Sequence, residues 1–196
     1  MSQRASVDHQ RIERFLRQLG QRFHGTGRIY LVGGTTMVYE GFRNQTLDID
    51  LALELSPQDH TSFIQIVREL KEELNVNVEE ASPGDFIPLP AGYKDRCQFL
   101  GRYGNLDVFH FDLYSMAFSK IERGTEEDLS DVLALLENNW IQIENLERYF
   151  QDILPRYATE SLKGDSLEFQ RKFQALKQMW VGNPDFIQEK NHAKNT

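Results

Sequence analysis

The sequence predicts an α+β fold, a small mixed β-sheet flanked by helices and followed by a C-terminal helical extension. Three observations lead there. Short apolar runs and helical stripes alternate up to Phe111, one run alternates acidic and apolar residues without a break, and beyond Asp112 every apolar stripe has helical spacing. A chain of 196 residues holds one well-buried core plus an appendage rather than two large domains. The expected boundaries are 1–140 for the sheet-bearing domain, 141–183 for the helical extension and 184–196 for a frayed, disordered tail.

Taken in order, Ile12, Phe15, Leu16, Leu19 and Phe23 recur at helical spacing behind a cap at Asp8, which predicts an amphipathic helix. Arg28 to Val32 is a short, largely apolar run after a Gly25-Thr26-Gly27 turn, hence a buried strand, and Gly33-Gly34 ends it. A short helix over Thr35 to Gly41 follows. Leu47 to Leu53 alternates strictly, placing Asp48 and Asp50 on one face of a strand and Leu47, Ile49, Leu51 and Leu53 on the other. Ser56-Pro57 opens a helix whose buried stripe is Phe63, Ile66, Val67, Leu70 and Leu74.

Asn75 to Glu80 suits a short strand, whereas Ala81 to Gly92, with three prolines and two glycines, predicts a long loop. Tyr93 to Leu100 and Leu106 to Phe111 flank a five-residue turn, Gly101 to Asn105, as an antiparallel pair. Asp112 caps a helix that runs through Lys120 and stops at Gly124, and Thr125 caps the next, with Leu129, Val132, Leu133 and Leu136 as its apolar face. Leu146, Tyr149, Phe150 and Ile153 form a stripe ended by Pro155. Phe169, Phe173, Leu176 and Trp180 form the last, opened by the Asp165–Glu168 capping pattern.

Composition narrows the function. Thirty acidic against 22 basic residues give a formal charge of −8, which disfavours long nucleic acid as a partner but not a nucleotide held through a divalent cation. Cys97 is the single cysteine, so neither a disulfide nor a thiolate zinc site is expected within the chain. The apolar runs are too short for a membrane span and the N-terminus lacks a signal-peptide core, so a cytoplasmic location is expected. The five histidines show no metal-ligand spacing, and His110 is read as a partly exposed structural residue.

The distinctive constellation is a strand ending in Gly33-Gly34, a short helix, and Asp48-Ile49-Asp50 on a second strand after 13 intervening residues. Two glycines let backbone approach a triphosphate closely, and Thr35 adds a hydroxyl donor. Two carboxylates on one strand face suit one or two magnesium ions that bridge phosphate oxygens. Each half also has a plain reading: Gly33-Gly34 as a tight turn, the acids as a guard against edge-to-edge aggregation. Their combination favours the chemistry.

Val32-Gly33-Gly34 followed by Leu47-Asp48-Ile49-Asp50-Leu51 resembles the signature of the nucleotidyltransferase superfamily, which includes DNA polymerase beta and kanamycin nucleotidyltransferase. The stretch Gly33-Gly34-Thr35-Thr36, Arg43, Thr46, Asp48-Ile49-Asp50, with Lys120, Arg123, Asp128 and Asp131 further on, is similar to AbiEii-type toxins and their uncharacterised relatives. The resemblance covers about residues 25 to 137. It implies the nucleotidyltransferase fold and these roles: Gly33, Gly34 and Thr35 on phosphate, Asp48 and Asp50 on Mg2+ or Mn2+, and Lys120 neutralising charge near the triphosphate.

The same resemblance implies a third carboxylate that usually takes part in deprotonating the acceptor. Asp107, between Leu106 and Val108, fits the apolar-Asp-apolar pattern and joins the expected metal set, while Asp112, which begins a helix, is the rival. The implied activity is metal-dependent transfer of a nucleoside monophosphate from a nucleoside triphosphate to an unidentified acceptor: a small molecule, a protein or an RNA end. A cationic small acceptor suits the negative charge. The alternative is a non-catalytic nucleotide-binding or protein-interaction module, as in a toxin–antitoxin pair or a regulator, in which Asp107 points away from the other two acids.

Overall fold

The computed structural model describes residues 5–160 and 165–182, so the expected tail lies outside the described residues. The chain divides into two compact units: Met1–Ser82 with Gly92–Asp112, and Pro83–Ala91 with Leu113–Thr196. Within the second unit the helices after Asp112 pack with the C-terminal helices.

The first unit carries α1 (His9–Arg22), β1 (Gly27–Leu31), α2 (Gly33–Tyr39), β2 (Asp48–Leu55), α3 (Pro57–Glu73), β3 (Asn77–Glu80), β4 (Gln98–Tyr103) and β5 (Leu106–His110). The five strands form one mixed sheet in the order β3-β2-β1-β5-β4. β1 pairs antiparallel with β2 and parallel with β5, β2 pairs parallel with β3, and β4 pairs antiparallel with β5. Alternation along each strand sends Ile29, Leu31, Ile49, Leu51, Val78, Leu106 and Val108 into one core. Phe15, Leu16 and Leu19 of α1 and Phe63, Val67 and Leu70 of α3 close the same core.

The helix ends follow their sequence signals. Asp8 accepts from the Arg11 N–H at 2.9 Å and caps α1. Ser56 precedes the first-turn Pro57 of α3, with its hydroxyl donating to Asp59 at 2.8 Å. Two readings shift. Tyr93–Arg96 forms a 3-10 turn, so β4 begins only at Gln98, and it runs on to Tyr103, leaving Gly104-Asn105 as a two-residue hairpin turn in place of the five-residue one. Leu47 stands outside β2 and is exposed instead of joining its apolar face.

The second unit holds α4 (Leu113–Arg123), α5 (Glu126–Glu137), α6 (Ile143–Glu160) and α7 (Ser166–Val181). Its core is aromatic: Phe150 stacks on Phe173 with centroids 4.0 Å apart, and Tyr157 stacks on Phe169 at 4.6 Å. Pro155 does not end α6, which continues five residues beyond it. An interior proline costs about 3 kcal/mol. Burial of Tyr157 in the following turn, together with the Arg156 guanidinium donating to the Leu89 carbonyl at 2.9 Å, opposes that cost.

Candidate functional site

The end of β1 and the start of β2 form the candidate site. The Val32 N–H donates to the Asp50 carbonyl at 3.2 Å, which sets the acid strand beside the glycine turn. Gly33 adopts φ +58°, a left-handed conformation that favours glycine, and a Cβ added there would lie 2.9 Å from Asp50 Oδ2. A Cβ on Gly34 would lie 2.5 Å from Thr46 Oγ1 and 3.9 Å from Arg43 Nη1. The turn therefore closes onto the acid strand without room for a side chain at either position.

The two threonines of α2 lock this arrangement. Thr35 is fully buried, and its hydroxyl accepts from the Asp50 N–H at 2.7 Å and donates toward the Asp48 carbonyl at 3.4 Å. It thereby fixes the backbone from which both acids project. Thr36 donates to the Leu31 carbonyl at 2.9 Å and lies 3.3 Å from His110 Nδ1, which ties α2 to β1 and β5. His110 is fully buried rather than partly exposed, with Nε2 2.5 Å from Glu40 Oε1 and its ring edge-on to Tyr39. Burial pushes its pKa below the ordinary value, and the hydrogen bond and charge of Glu40 only partly oppose that shift.

Asp48 and Asp50 are both half-buried and share one face of β2. The neighbouring strand β3 sets Asn77 opposite Asp48 and Glu79 opposite Asp50. Asn77 Nδ2 donates to Asp48 Oδ1 at 2.7 Å and to Glu79 Oε1 at 2.8 Å. Neither residue stands out in the sequence. An Asn-x-Glu alternation after α3 is the available signal, and it becomes informative only once the β2–β3 register is known.

Asp107 is placed differently. It pairs in register with Arg28 on β1, whereas Asp50 lies beside Val32, just past the end of β1 and four residues further along the chain. At about 3.3 Å per residue this separates them by roughly 13 Å along the sheet. Its carboxylate accepts from Arg102 Nε at 2.6 Å, a bond that holds its pKa below the usual carboxylate range. Asp112 is fully buried and accepts two bonds from the Arg96 guanidinium, each 2.9 Å. The sheet thus sets Asp107 apart from Asp48 and Asp50, while Asp112 is committed to Arg96.

Lys120 belongs to the second unit. It is 1% exposed, with its ammonium 2.5 Å from Asp131 Oδ2 and 3.4 Å from Asp128 Oδ1. Arg123 and Thr125 complete this network through the Asp128 carboxylate. Burial raises the Asp128 pKa, but the bonds from Arg123 and Thr125 and the Lys120 charge outweigh it and hold the group low.

Among the described residues, no three His, Cys, Asp or Glu side chains gather as a ready-made cation cage. Magnesium does not require one, since it is held by one or two carboxylates together with substrate phosphates and water. The half-buried Asp48/Asp50 pair beside a side-chain-free turn has the donor chemistry for that kind of binding. No helix among the described residues is long and apolar enough to cross a membrane.

A mixed five-stranded sheet flanked by helices, with a glycine turn seated against a strand of alternating acids, defines a protein of the nucleotidyltransferase-like fold. The model of the family described as nucleotidyltransferase of unknown function (DUF6036) matches residues 10–180, and the chain belongs to that family. No curated protein and no solved structure matches it.

Proposed function

We propose that the protein transfers a nucleoside monophosphate from a nucleoside triphosphate to an acceptor, with Mg2+ or Mn2+ held by Asp48 and Asp50. The observation that carries this reading is the close seating of the glycine turn on the acid strand, with Asp50 Oδ2 2.9 Å from where a Gly33 Cβ would stand. Backbone there meets a ligand directly, so a triphosphate laid on Gly33-Gly34 lies beside both carboxylates. A divalent cation, when bound, supplies the positive charge that bridges phosphate oxygens and offsets the charge developing during displacement. The residues of this chain position: Gly33 and Gly34 admit the phosphates, Asp48 and Asp50 orient them, and Thr35 fixes the strand from which the acids project.

The AbiEii-like combination of Gly33-Gly34-Thr35-Thr36, Arg43, Thr46 and Asp48-Ile49-Asp50 supports the same site and raises a toxin–antitoxin setting. A second reading, nucleotide binding without transfer, is favoured by one specific observation: Asp107 and Asp112 are each engaged by an arginine.

Calorimetric titration with each of the four nucleoside triphosphates plus magnesium tests the shared site, using wild type and a protein carrying both Asp48→Ala and Asp50→Ala. Metal-dependent binding lost in the double variant is expected, and absence of binding to wild type refutes both readings. Pyrophosphate release by the protein that binds then separates transfer from simple binding.

A further inference from the structure

The two glycines of the turn face different neighbours. A Cβ added at Gly33 would meet Asp50, whereas one at Gly34 would lie 2.5 Å from Thr46 Oγ1 and 3.9 Å from Arg43 Nη1. A phosphate chain laid along the turn therefore has the acid pair at one end and the half-buried Arg43 at the other. The phosphorus that is attacked belongs at the metal-binding end, so the phosphates beyond it extend toward the guanidinium.

The backbone keeps Arg43 in that place. Gly41 adopts φ +78°, and the N–H groups of Phe42 and Arg43 both donate to the Met37 carbonyl, at 2.8 and 3.1 Å, which folds the chain back against α2. Further on, Thr46 exchanges two backbone hydrogen bonds with Val7, of 2.8 and 2.9 Å. Val7 is fully buried and precedes Asp8, the cap of α1. The segment that carries Arg43 is thus fastened on both sides, to α2 before it and to the N-terminal arm after it.

A triphosphate beside two carboxylates concentrates negative charge, and a cation fixed in advance offsets the part that a metal ion does not reach. Lys120, expected in that role, is paired with Asp131 and Asp128 in the second unit. A guanidinium is permanently charged, and its planar fork of N–H donors matches phosphate oxygens. We infer that Arg43 binds the β- and γ-phosphates and makes the site select nucleoside triphosphates over monophosphates, an inference that rests on the nucleotide site proposed above.

The test is calorimetric, on the full chain with magnesium. Of the four nucleoside triphosphates, the one that wild type binds best is titrated, with its monophosphate and inorganic pyrophosphate, into wild type, Arg43→Ala and Arg43→Lys. Arg43→Ala should lower the affinity for triphosphate and pyrophosphate at least about tenfold and leave the monophosphate within about twofold, because hydrogen bonds to charged groups are the stronger ones. Arg43→Lys, a point charge without the fork, should recover part of the loss. A role confined to shaping the turn would lower all three affinities together. That result overturns the assignment, as does triphosphate affinity unchanged in Arg43→Ala. Failure of wild type to bind any of the four triphosphates overturns the underlying site instead.

Discussion

Replacing Gly33 by alanine tests whether the glycine turn exists for the sake of the acid strand. The residue sits at φ +58°, where an alanine costs about 1–2 kcal/mol. Its new Cβ would lie 2.9 Å from Asp50 Oδ2, so the carboxylate must rotate away, at a further ~0.5–1.5 kcal/mol if it leaves its rotamer. Gly41 is the internal control, since it has φ +78° but nothing within 4 Å of an added Cβ. Gly41→Ala therefore carries the backbone cost alone.

With about 2–4 °C of Tm per kcal/mol for a chain of this size, Gly41→Ala should lower Tm by roughly 2–8 °C and Gly33→Ala by a few degrees more. Only Gly33→Ala should weaken metal-dependent nucleotide binding, by at least about tenfold, or ~1.4 kcal/mol, because Asp50 is displaced. Differential scanning calorimetry and nucleotide titration read the two effects. Equal Tm losses in the two variants, with wild-type nucleotide affinity in Gly33→Ala, would refute the argument that Gly33 is required by Asp50.

Three further outcomes follow from the buried polar groups. His110 is held neutral, so its folded pKa lies below the unfolded value of about 6.5; it contributes stability above that value and loses it as pH falls through the folded pKa, at up to ~1.4 kcal/mol per pH unit, a slope that urea midpoints between pH 7.5 and 5.5 should show and His110→Gln should reduce. Lys120→Met strips the buried ammonium from Asp131 and Asp128 and should cost about 3–5 kcal/mol in urea unfolding, part of it recovered by adding Asp131→Leu. Arg96→Ala removes both guanidinium bonds from the fully buried Asp112 and should cost a similar ~3–5 kcal/mol, measured the same way, without weakening nucleotide affinity while the protein remains folded.

Several elements were legible because their signals are local. The stripe Ile12, Phe15, Leu16, Leu19 with a cap at Asp8 defines α1 from neighbouring residues alone, and the structure buries those four side chains. The alternation through Asp48 and Asp50 requires only the period of a strand, and β2 follows it from Asp48 onward. Pro155 misled because a proline's local cost is read from sequence, while the burial of Tyr157 that opposes it depends on a residue distant in the chain, Phe169. His110 misled for a related reason: its burial and its Glu40 partner, 70 residues away, come from packing.

Composition, the glycine turn, the Asp48/Asp50 alternation and the helical second half were determined by the sequence, because each is a matter of residue type and short-range spacing. Which carboxylates stand together was decided only by tertiary structure. Asp107 and Glu79 are both acids on short strands, and no local rule separates them. Pairing β2 with β3 in a register that sets Asp50 against Glu79, while β1 lies between β2 and β5 with Arg28 beside Asp107, settles the matter. Register is fixed by burial of one whole face of the sheet, and a slip of one residue would turn every side chain to the other side.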